Sequence, residues 1–160
     1  MTEQEKSRWI AIGRIPSGLF IVTAKKGDEQ TAFLASWVQQ AAFEPPLLSL
    51  AVRKGRPIEK LLAPGSVFVV HVCGKQNSDM IKHYLKNFEL DENAFADFET
   101  TEGVTGAPIL PAALACIECE YYDRADAGDH VIVLGKVVEG RVLHPDDEPI
   151  LHTRPTGRHY

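Results

Sequence analysis

A mainly β fold, an antiparallel barrel of about six strands with two or more short helices, is predicted by three features of the sequence. Strand-like segments follow one another instead of alternating with helices, which disfavours a doubly wound parallel sheet. Turn residues separate these segments at hairpin distances. The chain of 160 residues, 44% of them hydrophobic, holds enough apolar material for one continuous core, so residues 1–160 are expected to form a single domain.

The first strand is read at Leu19–Ala24, rich in β-branched and aromatic residues and stopped by Lys25-Lys26-Gly27-Asp28. A second run, Thr31–Ala42, follows at hairpin distance, and Leu47–Val52 after Glu44-Pro45-Pro46 reads as a buried strand. Arg56–Leu62 carries Pro57 at a plausible first helical turn and predicts a short helix. Val67–Val72 is another strand. From Ser78, a cap residue, apolar positions at Ile81, Tyr84, Leu85 and Phe88 predict an amphipathic helix. Asp91–Thr105 is acidic and irregular, with Phe95 and Phe98 as anchors. Two long β segments, Ala112–Tyr122 and Val131–Leu143, flank the turn-rich stretch Asp123–Asp129 and predict a long hairpin.

Composition narrows the function. A net charge of −5 and a pI near 5.7 supply no overall positive field for nucleic acid or anionic lipid. No apolar run reaches the roughly 20 residues that span a bilayer, and the polar start Met1–Lys6 lacks a secretory pattern, so a cytoplasmic protein is expected. The odd set Cys73, Cys116 and Cys119 suits reduced thiols. Cys116 and Cys119 have a zinc-like spacing, but on a strand residues three apart face opposite sides, and the histidines lack the i, i+4 pairing of a helical metal site. No metal is expected. Glycine-rich phosphate loops and a Gly-x-Ser-x-Gly elbow are both absent.

Three clusters carry chemistry. Ser36-Trp37-Val38-Gln39-Gln40 places an indole and two carboxamides in one run, which suits the donor and acceptor edge of an isoalloxazine or an ordinary strand core. Ala51-Val52-Arg53-Lys54-Gly55-Arg56-Pro57 sets three cations at a strand end and a helix start, an anion site or a solvated basic turn. Gly128-Asp129-His130 sits at the mouth of the long hairpin, where His130 is either aimed at a ligand or simply exposed.

In order, Ala35–Leu47, Leu50–Arg56, Lys82–Phe88, Leu114–Cys119, Gly128-Asp129-His130 and the ending His152–Tyr160 resemble the flavin reductase-like family with the FMN-binding split-barrel fold, notably the C-terminal flavin reductase modules of cyanobacterial diflavin flavoproteins. The resemblance covers the chain from about Gly18 onward. It implies a Greek-key split barrel that pairs into a homodimer with FMN near the interface. It also implies an NADH- or NADPH-dependent oxidoreductase that passes electrons to free flavin or to a redox-protein partner. A non-catalytic FMN electron-transfer module, reduced by a partner, is the alternative, and a haem-binding or structural barrel a third. The implied flavin contacts are Ala35, Ser36, Trp37, Val38 and Gln40, then Ala51, Arg53, Lys54, Gly55 and Arg56, with Gly74 and Asn77 closing over the cofactor. Ser36, Gln40 and the Trp37-Val38 backbone would orient the isoalloxazine. Lys54 and Arg56 would neutralise phosphate, and His130 would place the reductant. Where relatives carry hydroxyl and Asn positions this chain has Leu34, Ser36 and Trp37, so polar contacts must be redistributed.

Overall fold

The computed structural model describes residues 1–160 and contains nine strands and two α-helices. Helix α1 spans Glu3–Gly13; strands β1 (Phe20–Lys26) and β2 (Glu29–Ala35) form a hairpin; β3 (Val38–Ala42) and β4 (Leu47–Arg53) form a second, joined through a cis Glu44–Pro45 peptide. After a 3-10 turn at Pro57–Lys60 come β5 (Val67–Val72), α2 (Ser78–His83), the two-residue strands β6 (Thr101–Glu102) and β7 (Pro108–Ile109), and the long strands β8 (Ala115–Ala127) and β9 (His130–Val142). Seven strands make one antiparallel sheet in the order β2-β1-β5-β8-β9-β4-β3.

The sheet curls because its two ends bury side chains in the same core. Val22 and Ala24 of β1, Phe33 and Ala35 of β2, Leu50 and Val52 of β4, Phe68 and Val70 of β5, Cys119 of β8 and Val131 and Val133 of β9 form one cluster, plugged by Ile58, Leu61 and Leu62. These positions keep the period of two that lines one face of a pleated sheet. The edge strands β2 and β3 do not pair with each other, so the barrel is split there. Gly135 admits the Phe68 ring, whose Cζ would lie 2.2 Å from a Cβ at that position.

On the outside of β1 and β2, Ile21, Ala32, Met80, Tyr84 and Phe88 form a second cluster against which Phe95 and Phe98 pack. A third unites Val69 and Cys116 with Ala107 and Ile109. Here His71 is fully buried: its Nδ1–H donates to the Ile21 carbonyl (2.9 Å) and its Nε2 accepts the Leu110 N–H (2.9 Å). That arrangement requires the neutral ring, and burial holds its pKa down at about 4.

The mainly β class and the antiparallel pairing agree with the sequence, with four corrections. The expected strand Thr31–Ala42 is two strands, broken at Ser36-Trp37 where the chain leaves one sheet edge for the other, which makes the main sheet seven-stranded. The stretch Asp123–Asp129 is not a long turn: β8 runs to Ala127, and only Gly128-Asp129, with Gly128 at φ 64°, makes the two-residue reversal. The polar character of that stretch belongs to a strand end that pairs with β9 but not with β5. Helix α1 precedes the first expected element; its signal, the capping box formed by Thr2 and Glu5, is present in the sequence. In the second helix, Tyr84 and Phe88 are buried as expected, but Leu85 is 68% exposed because α2 ends at His83. Cys116 and Cys119 fall on opposite sides of the sheet, and both are buried.

Candidate functional site

The break between β2 and β3 places Ser36 and Trp37 at the open seam, where the Trp37 carbonyl accepts the Ala51 N–H at 3.0 Å. Cavities open on either side of this corner. One of about 390 Å³ is mostly apolar, walled by Leu34, Ala35, Ile81 and Leu85, with Ser36, Arg56 and His152 among its polar groups. Another of about 440 Å³ is lined by Trp37, Arg53, His130, Arg154, Arg158 and Tyr160 among others. The Tyr160 side chain borders both. A third, about 350 Å³, lies along β3 and β4, with Ser36, Val38, Gln39 and Ala51 in its wall. Volumes of this size fall in the range of small-molecule sites.

The segment 152–160 forms the roof. Arg154 donates its N–H to the Gly13 carbonyl (3.1 Å), Gly157 donates to the Trp9 carbonyl (2.6 Å), and a bridge joins Ser17 to His152. Gly13 must be small, since a Cβ there would come within 2.7 Å of the Arg154 carbonyl. The roof's side chains then stack on the corner. The Arg154 guanidinium lies 5.1 Å from the Trp37 ring centroid, and that of Arg56 lies 5.1 Å from Tyr160 and 5.5 Å from Phe33. Trp37 also meets the His130 ring at 4.9 Å and the Tyr160 ring at 5.3 Å.

Asp129, His130 and Tyr160 form a directed chain. The Asp129 carboxylate can only accept, so His130 Nδ1–H donates to it (2.7 Å), and His130 Nε2 is hydrogen-bonded to the Tyr160 hydroxyl. The bond from His130 holds the Asp129 carboxyl below the usual range, while burial pushes the Tyr160 phenol up against the pull of Arg56 and Arg53. Such a chain fixes the imidazole's orientation and leaves its edge against Trp37.

Electrostatically, the wall is cationic in a chain of net charge −5. Arg53, Arg56, Arg154 and Arg158 take part in none of the molecule's salt bridges. Arg56 is instead held by Asn87 Oδ1 at 3.2 Å. Such an array fits a phosphorylated ligand.

Of the residues singled out from the sequence, Ala35, Ser36, Trp37, Val38, Ala51, Arg53, Arg56 and His130 come together around this corner. The others do not. Gln40 is exposed on β3 outside these three cavities. Lys54 pairs with Asp126 (3.1 Å), and the Gly55 N–H is already taken by Glu59 Oε2 (2.7 Å). Asn77 is buried and serves the backbone: its Oδ1 accepts the Gly74 N–H (2.8 Å) and its Nδ2 donates to the Ala112 carbonyl (2.6 Å). Sequence reasoning assigned no role to Trp9, Arg154, Arg158 or Tyr160. The only available signal was the density of basic and aromatic residues in His152–Tyr160.

Comparison with known proteins gives this geometry a context. Putative diflavin flavoprotein A 5 of Nostoc sp. is 43% identical over 151 residues, 94% of this chain but 26% of that protein. Diflavin flavoprotein A 1 of Synechocystis sp. is also 43% identical, with the same coverage of 94% and 26%. The chain thus spans about a quarter of the length of these relatives. Among solved structures, the NADH:FAD oxidoreductase SgcE6 of Streptomyces globisporus C-1027 superposes with a TM-score of 0.82 at 25% identity, over 94% of this chain and 89% of that one. The flavin reductase HpaC complexed with NADP+ gives 0.76 at 26% identity over 100% and 96%. The pattern of the flavin reductase like domain matches residues 12–159, from the end of α1 through the roof segment, and the chain belongs to that family.

Proposed function

We propose that this chain is an FMN-binding oxidoreductase module that takes hydride from NADH or NADPH and passes the electrons to free flavin or to a redox-protein partner. The observation that carries the reading is the Ser36-Trp37 corner: an apolar cavity on one side, an arginine-walled cavity on the other, and the His130–Tyr160 pair between them. A flavin supplies the hydride and electron chemistry when bound.

The residues present fit such a group. Leu34, Ala35 and Ile81 offer apolar walls to a planar ring, and Ser36, nine-tenths buried yet lining the cavity, offers a hydroxyl to its polar edge. Arg56, three residues past the end of β4, provides positive charge for phosphate, taking the place of Lys54, which is engaged by Asp126. His130, fixed by Asp129, orients the reductant against Trp37. Two copies of the chain are expected to associate with the flavin near their contact, which analytical ultracentrifugation would read directly.

Anaerobic stopped-flow mixing of the flavin-loaded protein with NADH or NADPH tests the reading. Rapid bleaching of flavin absorbance is the expected result, and absence of bleaching with both nicotinamides would overturn the enzymatic reading. The second reading, a module reduced by a protein partner, draws on the chain covering only 26% of relatives named diflavin flavoproteins. It predicts bound FMN that neither nicotinamide reduces.

A further inference from the structure

Arg154 has no counter-charge. Its side chain belongs to a residue only 8% exposed, and its single protein hydrogen bond runs from Nη1 to the His159 carbonyl at 2.9 Å. A guanidinium carries five donors, so those of Arg154 not used by the His159 carbonyl remain open to an anion in the cavity it lines, while its plane lies 5.1 Å from the Trp37 centroid. It lines the cavity of about 440 Å³ beside Arg53 and Arg158, which are exposed and likewise make no salt bridge. The one carboxylate side chain in that lining, Asp129, spends one oxygen on His130 Nδ1 at 2.7 Å and stands among three arginines. Trp9 and Trp37 also line the same cavity.

From this lining we infer that the cavity under the roof segment is a nucleotide-phosphate site that selects NADPH over NADH, with Arg154 holding a phosphate at depth and Arg158 taking the ribose 2′-phosphate at the rim. The inference rests on the reading of the chain as a nicotinamide-dependent oxidoreductase and adds the choice of reductant. The chemical logic is general: a free carboxylate selects a ribose 2′-hydroxyl by accepting its proton, whereas an unpaired arginine favours a 2′-phosphate. Here one carboxylate, partly used by His130, stands among three arginines that make no salt bridge. Arg56, on the other side of Tyr160, lines the apolar cavity instead, so the cations divide between two phosphorylated ligands.

The chain has only two tryptophans and both line this cavity, so intrinsic fluorescence reports on its occupancy. Titration of the whole chain with adenosine 2′,5′-bisphosphate and with ADP compares two nucleotides with two phosphate groups each, placed differently. A dissociation constant about tenfold or more lower for the 2′,5′-bisphosphate is expected, roughly what one well-placed charge-assisted contact supplies. In Arg158→Ala, whose side chain is at the surface, the two constants should converge, and Arg154→Lys should weaken both. Equal constants in the parent chain, no saturable quenching, or a preference untouched by Arg158→Ala overturns the inference. The two readings fail separately. If the bisphosphate binds selectively but FMN does not bind, the flavin reading falls and this one stands. If FMN binds and NADH reduces it as well as NADPH does, the reverse holds.

Discussion

Arg56 shows how a single side chain joins the two halves of the site. Its guanidinium stacks between Phe33 and Tyr160 while Asn87 takes one of its protons, so it is held in place without a carboxylate to neutralise it. Lys54, two residues earlier, is paired with Asp126 and points its charge elsewhere. Arg56→Ala should therefore weaken FMN binding by about tenfold or more, in line with loss of a charge-assisted phosphate contact, whereas Lys54→Ala should change it by less than about twofold. Equilibrium dialysis of both variants checks this. His71 makes a prediction of the opposite kind, about stability. Its folded-state pKa of about 4 lies below the ordinary histidine value of 6.5, so the unfolded chain binds the extra proton more readily. Stability from the neutral ring is present above the unfolded value and is lost as pH falls through the window down to about 4. The shift corresponds to about 3 kcal/mol. Denaturant titrations at neutral pH and near the lower end of that window should show a loss in the parent chain that is mostly missing from His71→Gln. Equal losses in the two proteins would remove His71 as the cause.

At the level of elements, the barrel depends on a few places where backbone and ring share space. Gly135 of β9 is one: with Phe68 Cζ 2.2 Å from its would-be Cβ, Gly135→Ala overpacks the core and should cost about 1–3 kcal/mol, visible as a lower Tm in calorimetry. Gly13 is another, since it lets the roof segment lie on α1. Gly13→Ala should loosen that seat and weaken nucleotide binding more than it lowers Tm, a contrast that fluorescence titration beside calorimetry would reveal. The strands were legible because their apolar alternation is local: β1, β4 and β5 match the runs visible in the sequence to within a residue or two. The split of Thr31–Ala42 was not, because the break at Ser36-Trp37 comes from the jump between opposite sheet edges, a long-range fact that no local pattern carries. The reach of β8 to Ala127 was hidden for the same reason. Its charged end pairs with β9 alone, so it looks like a loop while serving as a strand.

Across the whole molecule, the candidate site draws on segments far apart in sequence: the β2–β3 corner, the end of β4, the β8–β9 turn, α1 and the roof. Ser36, Trp37, Arg53, Arg56 and His130 could be picked out in advance because each sits in a recognisable local cluster. Trp9 and Arg154 could not, since only the folding of residues 152–160 across α1 brings them to Trp37. The same folding concentrates positive charge on one wall of an acidic chain, which both orients an anionic ligand and raises its rate of encounter. We propose above all that this corner holds FMN. Titration of the whole chain with FMN, followed by the visible flavin spectrum and by the fluorescence of Trp9 and Trp37, tests it most directly. A saturable one-to-one change in both signals, weakened by Arg56→Ala, is the expected result. An unperturbed flavin spectrum, or binding that leaves both tryptophans and the Arg56→Ala variant unaffected, would contradict it.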